Sequence, residues 1–395
     1  MVCQACVKTA QAVPVCAACQ HLARDYPRIR TFPAPGTRLA RIFQRPATTG
    51  RFAFLFPTVT ALNRALLLSG SVALTTLTAS PFAQAQQAPN GTLQVYGRLN
   101  TSVESAKMEG QSSVMGLQNN ESFWGLRGQE DLGGGMQAGF ILEHGFELDT
   151  GANTDASYFN RKSEVNLSGR FGMLRMGRMI SEAYYATADV VNMHNFDTGS
   201  SADALYAWVS NGANHVSWRL PEYKGLTVEL GTSLHEKQAE PSKNAWDLAA
   251  NYELGDLSLG LGHNRWDAAE QTTVRAAYTT GPWTVAGYLQ NSHGWDQANY
   301  QVDSSQRNRN MGRVAVQYTD GPSEYHLNVG HAGKVGGEDG TQATQWTLAY
   351  NYNFSKRTKL YALYTRVNNH EHASYQTGEQ GVGFSSIALG MRHYF

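Results

Sequence analysis

The chain ends on an unbroken alternation. Ile387, Leu389, Met391, His393 and Phe395 fall on one face of an extended backbone, and Ser386, Ala388, Gly390, Arg392 and Tyr394 on the other. A period of two is the mark of a strand, and here it runs into the carboxyl terminus itself. A soluble domain has little reason to bury its final residue in this way. A barrel that must close in lipid needs a last strand with a greasy outer face. The ending therefore points to the outer membrane of a Gram-negative cell.

The amino-terminal part supplies a route there. Arg64 precedes an uncharged run from Ala65 to Ser80, and Ala83 and Ala85 form an A-x-A cleavage site before Gln86. The run is shorter than the roughly 20 apolar residues of a spanning helix, so residues 64–85 read as a cleavable signal peptide. Residues 1–63 carry all four cysteines and eight Lys or Arg against the single acid Asp25. Cys3, Cys6, Cys16 and Cys19 have the pairing of a zinc ribbon, but the gap between the pairs is shorter than the about 15 residues such a ribbon needs. The segment 1–63 reads as an upstream extension from a start set too far back, with initiation near Val59 or Leu62.

Charge has to be recounted once the leader is set aside. The whole chain balances 32 basic against 32 acidic residues, and removing the nine basic and one acidic residue of 1–85 leaves 23 and 31, a net of −8. An acidic exported domain argues against nucleic-acid binding. It also contains no cysteine. A barrel held by its hydrogen-bond ladder has no need of disulfides.

No stretch after Gln86 is apolar and long enough for a spanning helix, so the fold class rests on strands. The segments 257–261, 274–278, 314–318, 325–329 and 346–352 alternate apolar with small or polar residues. Tight turns at 131–135, 169–172, 222–225, 255–256, 281–282, 320–322 and 355–356 separate paired strands. Seven such turns join sixteen strands in pairs and leave eight longer loops on the other side. The strand centres are expected near 97, 126, 141, 164, 176, 217, 230, 250, 260, 276, 287, 314, 328, 348, 362 and 390. Aromatics at strand ends, including Trp283, Tyr318, Tyr352 and Phe395, fit a membrane interface better than a soluble β-sandwich.

The blocks GTLQVYGRLN at 91–100, FWGLRGQEDLGGGMQAGF at 123–140, FNRKSEVNLSGRFGMLRMGR at 159–178, HVSWRLPEYKGL at 215–226 and LGMRHYF at 389–395 resemble the Gram-negative general porins, in the branch whose chains end in Arg-His-x-Phe. The resemblance covers 86–395. It implies an all-β, 16-stranded antiparallel transmembrane β-barrel, a homotrimer, and a long third external loop folded into the lumen. It further implies a water-filled channel for passive diffusion of ions and small hydrophilic solutes, with no cofactor, no metal and no catalytic residue. Outer-membrane lipid, lipopolysaccharide and the barrel-assembly machinery are the implied partners. Phe395 would be the assembly signal.

Mapped residue by residue, the stretch between Arg178 and His215 is the inward loop, with acids Glu182, Asp189, Asp197 and Asp203. The family's basic ladder falls on Arg98, Arg161 and Arg219, with Arg178 at the loop root. Phe123 stands where the family commonly has a further arginine. By alternation Lys162 and Glu164 would face outward, which a subunit contact would tolerate. The rival reading is an outer-membrane barrel enzyme or adhesin, yet no GxSxG or HExxH occurs and His370 and His372 form the only closely spaced histidine pair. Mass spectrometry of the protein from outer membranes should find Gln86 as the amino terminus and no peptide from 1–63; any cysteine-containing peptide contradicts this.

Overall fold

The computed structural model describes residues 91–194, 199–210, 212–236, 243–297, 301–303 and 305–395. The expectations for 1–63, for the signal peptide at 64–85 and for Asp197 lie outside the described residues. What is described is a closed antiparallel barrel of sixteen strands. They are β1 (Gly91–Met108), β2 (Val114–Asn119 and Phe123–Gly133), β3 (Met136–Gly145), β4 (Lys162–Gly169), β5 (Gly172–Arg178), β6 (His215–Arg219), β7 (Leu226–Ser233) and β8 (Ala245–Leu254). The second half holds β9 (Leu257–Trp266), β10 (Ala269–Thr280), β11 (Trp283–His293), β12 (Asn308–Asp320), β13 (Ser323–Ala332), β14 (Ala343–Asn353), β15 (Thr358–Asn369) and β16 (Phe384–Tyr394). Every expected centre lies inside its strand, and all seven short turns fall at one end.

Each strand pairs with its sequence neighbour, and β1 pairs with β16 from Arg98↔Tyr394 to Met108↔Phe384. The terminal residue continues this ladder: the Gly97 N–H donates to the Phe395 carbonyl at 3.3 Å and the Phe395 N–H returns to the Gly97 carbonyl at 3.2 Å. Closure removes the sheet edge that hydrocarbon could not satisfy.

The second strand is interrupted, which the sequence did not announce. Glu121 takes a positive φ of 59°, and Asn120 to Ser122 leave the ladder between the two halves of β2. Ser122 bridges the gap by accepting from the Asn100 N–H at 3.0 Å and donating to the Asn100 carbonyl at 3.1 Å. Of the eight outer connections, two are short: 109–113, and the two-residue turn Asp267–Ala268. A small hairpin, Trp295–Asp296 with Gln301–Val302, sits in the β11–β12 loop.

Alternation sorts the side chains. Val95, Val103, Leu230, Val274, Leu289, Val314, Leu327, Leu348 and Leu389 are exposed on the outer face, whereas Asn100, Ser102, Gln271, Gln290, Asn328, Gln345 and Thr365 are buried inside. An apolar exterior over a polar interior is what lipid outside and water inside select. Trp283, Tyr318, Tyr325 and Tyr350 form an aromatic row at the short-turn end, with centroids 4.7, 6.3 and 5.2 Å apart.

On β4 the alternation corrects one expectation. Val165 and Leu167 face out, so Lys162, Glu164 and Asn166 face in, and Glu164 is only 4% exposed. Strand order begins at Lys162, and the preceding Arg161 is free of that parity; consecutive residues therefore both turn inward.

Closure suggests a test. A Cβ on Gly97 would lie 2.6 Å from the Phe123 carbonyl and collide with the Phe395 ring. Gly97→Leu should cost about 1–3 kcal/mol, the usual range for overpacking. A heat-modifiability gel should then show a lower unfolding temperature than wild type.

A loop strapped across the lumen

Between β5 and β6 the chain enters the barrel. The Met179 N–H donates to the Gly212 carbonyl at 2.9 Å and ties the root of the loop. Two single-turn helices follow, α1 (Glu182–Tyr185) and α2 (Ala188–Val191), the first capped by Ser181, which accepts from the Ala183 N–H at 3.2 Å. This is the third outer connection.

The loop is held by side chains from the inner face of six successive strands. Asn264 on β9 donates to Ser181 at 2.9 Å, and Arg275 on β10 to the Ala186 carbonyl at 3.0 Å. Gln290 on β11 accepts from the Ala207 N–H at 2.7 Å, and Arg309 on β12 donates to the Leu205 carbonyl at 2.6 Å. Asn328 on β13 meets His194 at 3.2 Å, and Gln345 on β14 accepts from the Ala204 N–H at 3.0 Å. The seat is cut by glycine: a Cβ on Gly262 would lie 2.5 Å from the Ala183 carbonyl, and one on Gly260 would overlap Ala186. Tyr184, Tyr206, Trp208 and Tyr288 pack edge to face or tilted around this seat, Tyr184 and Trp208 at 4.2 Å.

The structure divides the residues singled out in the sequence. Glu182 lies between Arg175 Nη1 at 2.6 Å and Arg219 Nη2 at 3.1 Å. Burial raises the Asp189 carboxyl to about 6, with the positive charges of Arg98 and Lys162 opposing the rise. Arg98 donates twice to the Glu121 carbonyl, at 3.1 and 2.8 Å, and lies 5.4 Å from the Phe123 ring centre. Arg161 lies 4.6 Å from the same ring, pairs with Glu121 and approaches Glu143 at 3.5 Å. Arg98 and Arg161 thus meet at the Phe123 ring, and Glu182 joins the loop to Arg219.

Asp203 and Arg178 stand apart from this group. Asp203 accepts from Arg313 at 2.7 Å, from the Tyr288 hydroxyl, and from the Leu205 and Tyr206 N–H groups at 3.0 and 3.2 Å. It fastens the returning limb of the loop to β11 and β12. Arg178 pairs with Ser163 on the outward set of β5, and its Nε donates to the Asn160 carbonyl at 2.7 Å.

Several charges were missed. Arg175, 6% exposed, donates to Glu164, Glu182 and Glu229. Glu229 also holds Arg219 at 2.7 Å, and Glu143 takes the Tyr96 hydroxyl at 2.8 Å. The wall is therefore not simply basic: acids from β3, β4 and β7 neutralise most of its arginines. The inward parity of Glu143, Glu164 and Glu229 was the available signal. On the loop, burial lowers His194 to about 3 and leaves it uncharged at neutral pH. Among the described residues no group of three or more His, Cys, Asp or Glu is placed to hold a metal.

A closed barrel with an apolar exterior and a charged, water-compatible interior narrowed by one loop is an outer-membrane channel. The Gram-negative porin family profile matches residues 70–372. The chain belongs to the Gram-negative porins. It is 28% identical to outer membrane porin protein 32 of Delftia acidovorans over 370 residues, covering 82% of this chain and 99% of that one. The anion-selective porin from Comamonas acidovorans superposes with a TM-score of 0.64 at 25% identity, over 77% of this chain and all of its own. The trimer form of OmpT, an outer membrane protein of Vibrio cholerae, shares the fold, with a TM-score of 0.58 at 16% identity over 77% and 99%.

Removing one partner of a buried ion pair costs about 3–5 kcal/mol. Asp203→Ala should therefore release the returning limb, seen as flickering of the open-channel current and faster protease cleavage within 199–210. A quiet current and unchanged cleavage contradict the anchoring role.

Proposed function

We infer that the protein, an outer-membrane porin, works as a water-filled channel for ions and small hydrophilic solutes. We propose that its constriction is the gap between the two short helices of the third loop and the wall bearing Arg98, Phe123, Arg161 and Arg219. The observation that carries this reading is the contact of loop with wall, where Glu182 meets Arg219 at 3.1 Å and Lys162 Nζ lies 5.6 Å from the Tyr185 ring centre. Glu182 and Asp189 contribute the loop's negative field, while Asp203 serves as its anchor and Arg178 as a brace to the second outer loop.

Charge in this gap is nearly balanced. Arg161 and Arg219 have wall acids beside them, and Phe123 adds a ring where a cation would extend the positive side. The pore accordingly discriminates weakly between anions and cations, unlike the anion-selective Comamonas acidovorans neighbour. Solutes cross without a catalytic step. The working unit is a homotrimer, as the trimeric Vibrio cholerae neighbour supports, and Phe395 is read by the assembly machinery at the end of β16.

Reversal potentials in a salt gradient test this. An acid whose carboxyl is raised to about 6 is charged above that pH and neutral below it. Lowering pH through 6 should then shift the reversal potential toward anions, and Asp189→Asn should remove the shift. Phe123→Arg should move it toward anions at neutral pH. A pair of charges at 4 Å is worth about 4 kcal/mol at an effective dielectric near 20, and each effect should shrink with salt. No change for either variant at low salt places the constriction elsewhere.

A further inference from the structure

The inner wall below the constriction carries an aromatic row that neither the loop's seat nor the closure of the barrel uses. Gln94, Tyr96 and Arg98 share the inward parity of β1, and the register sets Arg127, Gly125 and Phe123 of β2 opposite them in that order. Residues paired directly across two strands lie on one face, so all six turn to the lumen. Leu93 and Val95, of the other parity, are exposed on the outer face. The row starts near the 131–135 turn, at the periplasmic mouth, and climbs roughly 13 Å from Gln94 to Arg98.

Both rings are held in place. Tyr96 lies over Gly125, where a Cβ would come within 3.1 Å of the ring, and its hydroxyl donates to Glu143 Oε1 at 2.8 Å. Phe123 meets Tyr96 edge to face, with centroids 6.1 Å apart. Both are half-buried, so part of each ring meets the water of the lumen. Cations bracket the pair: the Arg127 guanidinium lies 4.9 Å from the Tyr96 ring centre, and those of Arg98 and Arg161 lie 5.4 and 4.6 Å from that of Phe123.

The sign of the bracket is positive. Glu121 and Glu143 sit beside Arg161 and match its charge. Among the described residues Arg98 and Arg127 have no acid in contact. Arg98 donates to the Glu121 carbonyl, and Arg127 donates through Nε and Nη2 to Gln94 Oε1 at 2.9 and 2.7 Å. Arg127 is exposed, and its Nη1 takes no part in these bonds. The row therefore offers π surface between two cations whose charge no neighbouring carboxylate cancels.

We propose that Tyr96 and Phe123, with Arg127 below and Arg98 above, form a binding site for small aromatic monocarboxylates, of the size of benzoate, on their way through the pore. The solute's ring packs against Phe123 and Tyr96, and its carboxylate is held by the field of Arg98 and then by the Nη1 edge of Arg127. An aliphatic carboxylate of equal size meets the cations without the rings, and an uncharged aromatic amide meets the rings without the cations. The site rests on the reading that solutes cross beside this wall.

The test measures how much benzoate, cyclohexanecarboxylate or benzamide halves the chloride current through single channels of full-length protein purified from outer membranes. Both acids are ionised at neutral pH, so charge is constant between them. Benzoate should half-block at a concentration about threefold to tenfold below that of cyclohexanecarboxylate, the range of an aromatic pair, and benzamide should block least. Tyr96→Leu with Phe123→Leu keeps apolar volume and should bring the two acids together. Arg127→Gln should weaken both acids by a similar factor and leave their ratio, an effect that shrinks with salt. A variant that folds poorly gives fewer channels, and the ratio read from each open channel is untouched. Equal half-blocking by the two acids in wild type overturns the site, as does a ratio unchanged in the double leucine variant. The salt-gradient reversal potential of Phe123→Arg separates the causes: if it shifts toward anions, the constriction stands and only the aromatic site falls, and if it does not move, the constriction falls with it.

Discussion

Everything in this molecule depends on the pairing of β1 with β16. Inside hydrocarbon an unpaired N–H or carbonyl has no water to turn to, so a sheet survives there only without edges. The register from Arg98↔Tyr394 to Met108↔Phe384, extended by the reciprocal Gly97 and Phe395 bonds, meets that demand at the last residue of the chain. Gly97 is part of the same solution, since only a hydrogen in place of its side chain leaves room for the terminal ring. The strongly alternating carboxyl terminus is thus the place where the barrel is sealed.

Once sealed, the barrel has an interior that must be filled or wetted, and the third loop fills one side. It brings its own unpaired backbone groups, and the inner wall answers with Asn264, Arg275, Gln290, Arg309, Asn328 and Gln345, one from each of six strands. Burying a peptide group without such a partner costs about 1–3 kcal/mol. The polar inner face is therefore scaffold as well as water channel. The fully buried Arg313 makes the same point, for it holds the loop through Asp203 instead of facing solute.

Much of the barrel was legible because β periodicity is read locally. The sixteen strand centres and seven tight turns follow from alternation and from turn residues, Gly, Pro and Asp at six turns and Ser355-Lys356 at the seventh. The break at Asn120 to Ser122 was not, because it depends on side-chain bridges between Ser122 and Asn100 that join residues far apart in sequence. The facing of Lys162 and Glu164 was misjudged for a related reason. Parity counts from the first paired residue, and sequence does not mark whether that residue is Arg161 or Lys162. The meeting of Arg98 and Arg161 at Phe123, and of Glu182 with Arg219, needed the loop's path and the fold around it. The neutralising acids Glu143, Glu164 and Glu229 needed the third dimension, although each lies on an inward position that alternation around it defines.

The central claim is that ions pass beside α1 and α2 through the lumen. Because every cysteine lies before residue 20, a cysteine introduced in the barrel of protein produced from Gln86 onward is labelled alone. Single-channel current through an Asp189→Cys protein, recorded before and after a bulky thiol reagent, probes that passage directly. The account predicts stepwise loss of most of the conductance on labelling, with wild type unaffected. Full conductance after complete labelling would contradict it.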